Sequence, residues 1–169
     1  MRRDSRLSLN IDAGESRMKT IRSEIIIAAS PEEVWSVLAA FHLYPEWNPF
    51  IREVRGKGAA GERLWFKARL DGLPEILFRA AISELVPPVK LGWYAIFLKG
   101  VFEAYHYFEI EELASGKSRF INTEEFSGLF SGVLLFLLES RFRKRYQMMD
   151  EALKERVEAV AITNPARLN

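Results

Sequence analysis

The chain has 169 residues, 49% of them hydrophobic, and its 24 Lys plus Arg nearly balance 23 Asp plus Glu for a net charge of +1. This length suits one domain that buries about two-thirds of its unfolded surface; the apolar content excludes disorder for the bulk, and the charge balance offers no basic excess to a nucleic-acid partner. Without cysteine there are no disulfides or thiolate metal sites, and His42 and His106 lack zinc-ligand spacing.

Residues 1–18 are polar and aperiodic and read as a flexible tail, with Arg2, Arg3 and Arg6 solvated on it and contact with an anionic surface as the alternative. They contain no apolar run of the kind a signal peptide needs. The longest apolar run, Val133 to Leu138, falls far short of the roughly 20 residues of a membrane span. A cytoplasmic protein without stable membrane insertion is expected. The β-branched segment Ile21 to Ile27 predicts a strand. Ser30-Pro31-Glu32-Glu33 then opens a helix, with Ser30 as N-cap, Pro31 at the first helical position and Glu33 completing a capping box. Val34, Trp35, Val37 and Leu38 supply its buried stripe. Pro45 and Pro49 allow only a short helical turn after it.

A meander of six strands follows, over residues 51–56, 63–70, 75–85, 90–98, 102–110 and 119–126. Asp71-Gly72, Lys99-Gly100 and Ala114-Ser115-Gly116 supply turns between them, and Pro87-Pro88 breaks the third of these strands from the fourth. From about Leu129 to Ala161 the period becomes helical. Val133, Phe136 or Leu137, Ser140, Phe142, Tyr146, Met149, Leu153, Val157 and Val160 recur at three- and four-residue steps. Arg141, Arg143, Lys144 and Arg145 read as the solvated side of this helix, with docking to phospholipid headgroups as the alternative. Asn164-Pro165 stops it. Residues 19–162 thus form the domain and 163–169 a C-terminal tail.

Strands joined by short turns are antiparallel, and such a sheet can bury one face only. The cover must be the long helix, which at 1.5 Å per residue spans about 45 Å. A sheet curled around one helix leaves space between them. Period-two alternation puts Phe102, Ala104, His106, Phe108 and Ile110 on one side of their strand, and Phe120, Asn122, Glu124 and Phe126 on one side of the next. Apolar walls with one imidazole, one carboxamide and one carboxylate have the make-up of a ligand pocket. Pairing about the Ala114–Gly116 turn sets His106 opposite, or nearly opposite, Glu124. That carboxylate then either orients and charges the ring as an acid/base near neutral pH, or forms a structural pair with it. Phe66, Phe78, Ala80, Phe102, Phe108, Phe120, Leu134, Leu138 and Phe142 are the expected walls. Trp47, with Tyr44 and Phe50, forms either an aromatic lip or a plug beneath the prolines. Trp65, Arg79, Tyr105 and Tyr107 fall on the outer face.

The segments Ile25-Ile-Ile-Ala-Ala-Ser-Pro-Glu-Glu-Val-Trp35, Tyr44-Pro-Glu-Trp-Asn-Pro-Phe50, His106-Tyr-Phe108 and Glu124-Glu-Phe-Ser-Gly-Leu129 together resemble the START-like, or helix-grip, superfamily (the SRPBCC group) over about Met18 to Ala159. The resemblance is to its birch-pollen-allergen-like and polyketide cyclase/dehydrase-like lipid-transport members. It implies an α+β helix-grip fold: a curved seven-stranded antiparallel sheet around a long C-terminal helix, with two short helices after the first strand. It also implies a deep apolar cavity that holds lipids, sterols, polyketides or hormones. His106 matches a position where similar bacterial proteins often carry His, and no catalytic set carries over.

The expected function is carriage of a hydrophobic small molecule or lipid, with His106, Asn122 and Glu124 orienting it and neither cofactor nor metal required. The rival readings are a polyketide cyclase or dehydratase using His106, with Glu124, and a membrane-touching or homodimeric module acting through Trp65, Tyr105 and Tyr107.

Overall fold

The computed structural model describes residues 18–69, 74–99 and 101–163. The N-terminal tail before Met18, Leu70, the Asp71-Gly72 turn, Gly100, the Asn164-Pro165 stop and the side chain of Leu134 lie outside the described residues.

Strand β1 (Lys19–Ile27) leads into helix α1 (Pro31–Leu38). The capping box forms as its residues require: Ser30 Oγ accepts from Glu33 N at 3.3 Å, and Glu33 Oε2 accepts from Ser30 N at 2.8 Å. A single 3-10 turn (Phe41–Leu43) and the one-turn helix α2 (Tyr44–Trp47) follow, the length that two prolines permit. Strands β2 (Ile51–Arg55), β3 (Arg63–Ala68), β4 (Ile76–Val86), β5 (Lys90–Leu98), β6 (Phe102–Leu113) and β7 (Lys117–Ser127) then run as a meander, and helix α3 (Ser131–Thr163) closes the chain. The sheet is antiparallel throughout, in the order β1-β7-β6-β5-β4-β3-β2. Register shifts at Ile51/Glu53, Ile82/Glu84 and Ile96/Leu98 add local twist, which curls the sheet around α3.

Two side-chain rows across the inner face decide where the molecule is solid and where it is hollow. Leu91, Phe108 and Asn122 form one row. With Phe66, Phe120, Ala80, Val34 and Leu38 of α1 and the C-terminal half of α3 (Leu153, Val157) they make a closed core, all at most 2% exposed. Further along the same strands Ala80, Ala95 and Ala104 stand side by side. Of these, Ala95 borders open space with a single methyl group, and α3 packs mainly on β1, with lesser contact to α1 and β7. The inner face of β3–β5 therefore stands off from α3 and leaves a gap.

Gly128 sets the start of α3. Its φ is +106°, and a Cβ would lie 2.5 Å from Val101 O, so only glycine lets the chain turn so close to that backbone. Phe130 N then donates to Val101 O at 3.2 Å, and Ser131 Oγ to Gly128 O at 2.8 Å.

The helix phase differs from the sequence expectation at its beginning. Val133, Phe136 and Leu137 are 62%, 81% and 66% exposed, whereas Leu135 is buried. The inward stripe is Leu135, Leu138, Phe142, Tyr146, Met149, Leu153 and Val157, and Val160 is also outside. Both candidate stripes are apolar, so periodicity could not choose; the Gly128–Val101 anchor does. Arg145 is a second correction. It is 6% exposed, donates from Nη1 to Arg69 O at 3.1 Å and lies 4.8 Å over the Phe50 ring. Its place one residue before Tyr146 turns it inward.

The outer face follows parity. Arg79 stacks on Trp65 at 4.7 Å, and Tyr94, Tyr105 and Tyr107 make a run of ring contacts.

Candidate ligand cavity

The gap is a cavity of about 280 Å³ bounded by the inner face of β3–β7, the β2 end, α2 and α3. This is at the low end of the roughly 300–1,000 Å³ usual for small-molecule sites. Of the expected walls it brings together Phe78, Phe102, Leu138 and Phe142 with His106 and Glu124. Phe66, Ala80, Phe108 and Phe120 do not border it. They share the inner face but lie in the closed core, because parity gives the face of a strand and not the position along it. Trp47 also stands outside the wall: it packs edge-on to Tyr44, ring centroids 4.9 Å apart, and plugs the core below the prolines. Residues the sequence reading did not assign as walls include Trp93, Ala95 and Phe97 on β5, Ile76 on β4, and Tyr146 and Met149 on α3. The alternation Trp93-Ala95-Phe97 carried the signal for the first three. Arg145 and Asn48, also at the wall, had none.

The polar floor is built from one cross-sheet row, Trp93–His106–Glu124. Glu124 does stand opposite His106 in the register, but it is not the partner of the ring. The ring nitrogen His106 Nε2 bonds to Asn122 Oδ1 at 2.7 Å, two residues along β7. Asn122 Nδ2 donates in turn to Asp150 Oδ1 at 2.8 Å on α3. Asn122 and Asp150 are 0% and 2% exposed, so this connection is sealed from solvent. Asn122 is therefore the support behind the floor and does not face the cavity.

The relay fixes the proton on the imidazole. With its amide nitrogen committed to Asp150, Asn122 presents only its carbonyl oxygen, which accepts. His106 Nε2 must donate, and the lone pair of the neutral ring lies on Nδ1. Trp93, Phe108 and Tyr146 hold the ring at centroid distances of 5.0, 4.6 and 5.5 Å.

Burial favours the uncharged form of both floor groups at neutral pH, against the charged-ring alternative read from the sequence. Desolvation pulls the His106 pKa down to about 4 against the opposing effect of the Asn122 bond. Desolvation pushes Glu124 up to about 8. Asp150 is pushed up to about 6 by burial, with the Ser23 hydroxyl and the Asn122 amide pulling the other way. Among the described residues the half-buried Glu124 carboxyl has no hydrogen-bond or ion-pair partner. Asn48 Nδ2 and Tyr146 OH, on two wall residues, are buried without a partner among the described residues. The floor thus offers an acceptor at His106 Nδ1 and a carboxylic acid that can donate, side by side in an apolar chamber.

No group of three or more His, Cys, Asp or Glu suited to a metal occurs among the described residues. Nor, among them, is any helix long and apolar enough to cross a membrane.

A curved antiparallel sheet gripping a long C-terminal helix over a lined cavity defines the START-like class. The family model described as "Polyketide cyclase / dehydrase and lipid transport" matches residues 18–158, and the chain belongs to that family. Solved structures agree on the fold. A START superfamily protein from Mycobacterium smegmatis is 18% identical, with 83% of this chain and 98% of that one covered at a TM-score of 0.69. The Zhui aromatase/cyclase from a Streptomyces species is 14% identical, covering 89% and 97%, at a TM-score of 0.71. Norcoclaurine synthase from Thalictrum flavum, solved with dopamine and hydroxybenzaldehyde, is 15% identical, covering 84% and 87%, at a TM-score of 0.67. No curated protein sequence matches the chain.

Proposed function

We propose that the chain binds a neutral, mainly apolar small molecule or lipid segment non-covalently, with an oxygen-bearing end against Glu124 and His106. The observation that carries this reading is the unpartnered carboxyl of Glu124 beside His106 on the floor of an otherwise aromatic and aliphatic chamber. A half-buried carboxyl facing an apolar chamber without a protein partner is poorly solvated, and a ligand hydroxyl or carbonyl supplies the missing hydrogen bond. Carbon burial against Phe78, Phe102, Leu138 and Phe142 supplies most of the affinity. At about 25 cal/mol per Å², roughly 200 Å² of ligand apolar surface is worth about 5 kcal/mol. The lipid-transport and cyclase descriptions of the family support a hydrophobic cargo, and the cysteine-free composition goes with a cytoplasmic site of action.

Native mass spectrometry followed by organic extraction tests this, with the neutral dye N-phenyl-1-naphthylamine as a reporter of the cavity. A co-purifying apolar molecule that displaces the dye, and loss of dye binding in Ala95→Leu, are the expected results. Dye binding unaffected by a leucine at Ala95 overturns the site.

A second reading, a cyclase or dehydratase, is favoured by one observation. A deprotonated Nδ1 beside a protonated carboxyl is a base next to an acid, the pair needed to remove a proton alpha to a carbonyl and to protonate a leaving hydroxyl. Turnover of a polyketide-like substrate that is lost in His106→Ala while dye binding persists supports it. Retained turnover in that variant removes it.

A further inference from the structure

The exposed face of α3 changes character along its first turns. Leu129, Phe130, Val133, Phe136 and Leu137 are 79%, 55%, 62%, 81% and 66% exposed. One to two turns further on the same helix Arg141, Arg143 and Lys144 are exposed. Arg143 is engaged by Glu139 at 2.8 Å, while Arg141 and Lys144 have no ion-pair partner among the described residues. Clustered apolar exposure of this kind marks an interaction surface. At 1.5 Å per residue, the cations stand about 6–12 Å along the axis from Phe136 and Leu137. Interfacial helices combine such an apolar group with nearby cations that meet the headgroups.

The same end of the molecule carries part of the cavity wall. Phe130 N is bonded to Val101 O at 3.2 Å, and Phe102, the next residue, is a cavity wall. Phe97, 43% exposed, meets Phe102 at a ring distance of 5.3 Å. Leu138 and Phe142 line the cavity from the turns beside the exposed group. The exposed apolar group of α3 is therefore contiguous with apolar wall residues of the cavity.

We propose that this end docks peripherally on an anionic lipid bilayer. Leu129, Phe130, Val133, Phe136 and Leu137 dip between the lipids, Arg141 and Lys144 meet the phosphates, and this part of the cavity wall lies towards the bilayer. Use of the contact for loading the cavity rests on the ligand-binding reading above; the contact itself rests on the exposed face.

Flotation of the full chain with vesicles of phosphatidylcholine, alone or with about 30% phosphatidylglycerol, tests it; each basic residue near such a surface is worth about fivefold in binding. The wild type is expected to float with the anionic vesicles and to release at high salt. Phe136→Ser/Leu137→Ser should weaken this by more than about tenfold, and Arg141→Gln/Lys144→Gln should weaken it and flatten the salt dependence. Both pairs are exposed and outside the cavity wall, so melting temperature and N-phenyl-1-naphthylamine binding without vesicles should stay at the wild-type level. If dye binding fails in the wild type while flotation persists, the cavity reading falls and the docking stands. The proposal is overturned by absence of flotation with either vesicle, or by flotation that the Phe136/Leu137 pair does not change. It is also overturned by a dimer in light scattering that the same pair dissolves, which would make the face a contact between two copies.

Discussion

Replacing Glu124 with Gln tests the electrostatics of the cavity directly. Folded, Glu124 holds its proton to about pH 8; its ordinary value is 4.5. Between those values the folded state binds more protons than the unfolded one, so stability falls as pH rises. The contribution is fully present below 4.5 and lost once pH passes 8. At about 1.4 kcal/mol per unit, the whole window is worth up to about 5 kcal/mol. His106 works in the opposite sense between about 4 and its ordinary 6.5, and Asp150 is raised only to about 6. The clean interval is therefore pH 6.5 to 8, where Glu124 alone accounts for about 2 kcal/mol. In a domain of this size that is a shift in melting temperature of about 4–8 °C. Urea and thermal denaturation of wild type and Glu124→Gln across this interval give the measurement. The wild type should lose stability relative to the variant by about 1.4 kcal/mol per pH unit, then level off above 8. Parallel curves would show a carboxyl already ionised in the fold and would refute the neutral floor.

Asn122→Leu removes both bonds of the relay and should destabilise the fold by about 2–4 kcal/mol in urea, since Asp150 and His106 Nε2 each lose a partner. The ring resonances of His106, followed by NMR, should in the same variant lose the fixed Nε2–H tautomer. Gly128→Ala should cost more than about 2 kcal/mol, because alanine meets both an unfavourable φ and the Val101 carbonyl; a melting temperature within a degree of wild type would contradict the anchor. Ser30→Ala should cost only about 1 kcal/mol, the usual value of an N-cap, and leave dye binding intact.

The strands and their faces were legible because alternation is a local signal. The short Ala114–Gly116 loop, with Ser115 and Gly116 at φ 66° and 67°, fixed the register well enough to place Glu124 opposite His106. What sits behind that pair was not legible. The choice of Asn122 as the partner depends on rotamers, and Asp150 arrives from a helix turn whose contact with the sheet is wholly tertiary. Burial of Arg145 was hidden in the same way, within a basic run that periodicity treats as surface. Phe66, Phe108 and Phe120 had the right parity for walls, but distance along the strand separates the closed core from the chamber. The start of α3 offered two equally greasy stripes, and the contact of Gly128 with Val101, outside the helix itself, chose between them.

Because the β5 wall of the hollow includes the single methyl of Ala95, its capacity can change without any change in the architecture that surrounds it. Adding one or two carbons at Ala95 would resize the chamber while the hydrogen-bonded ladder and the packed base stayed as they are. Relatives with the same scaffold can thus diverge in cargo through single side-chain changes, a route that leaves folding almost untouched.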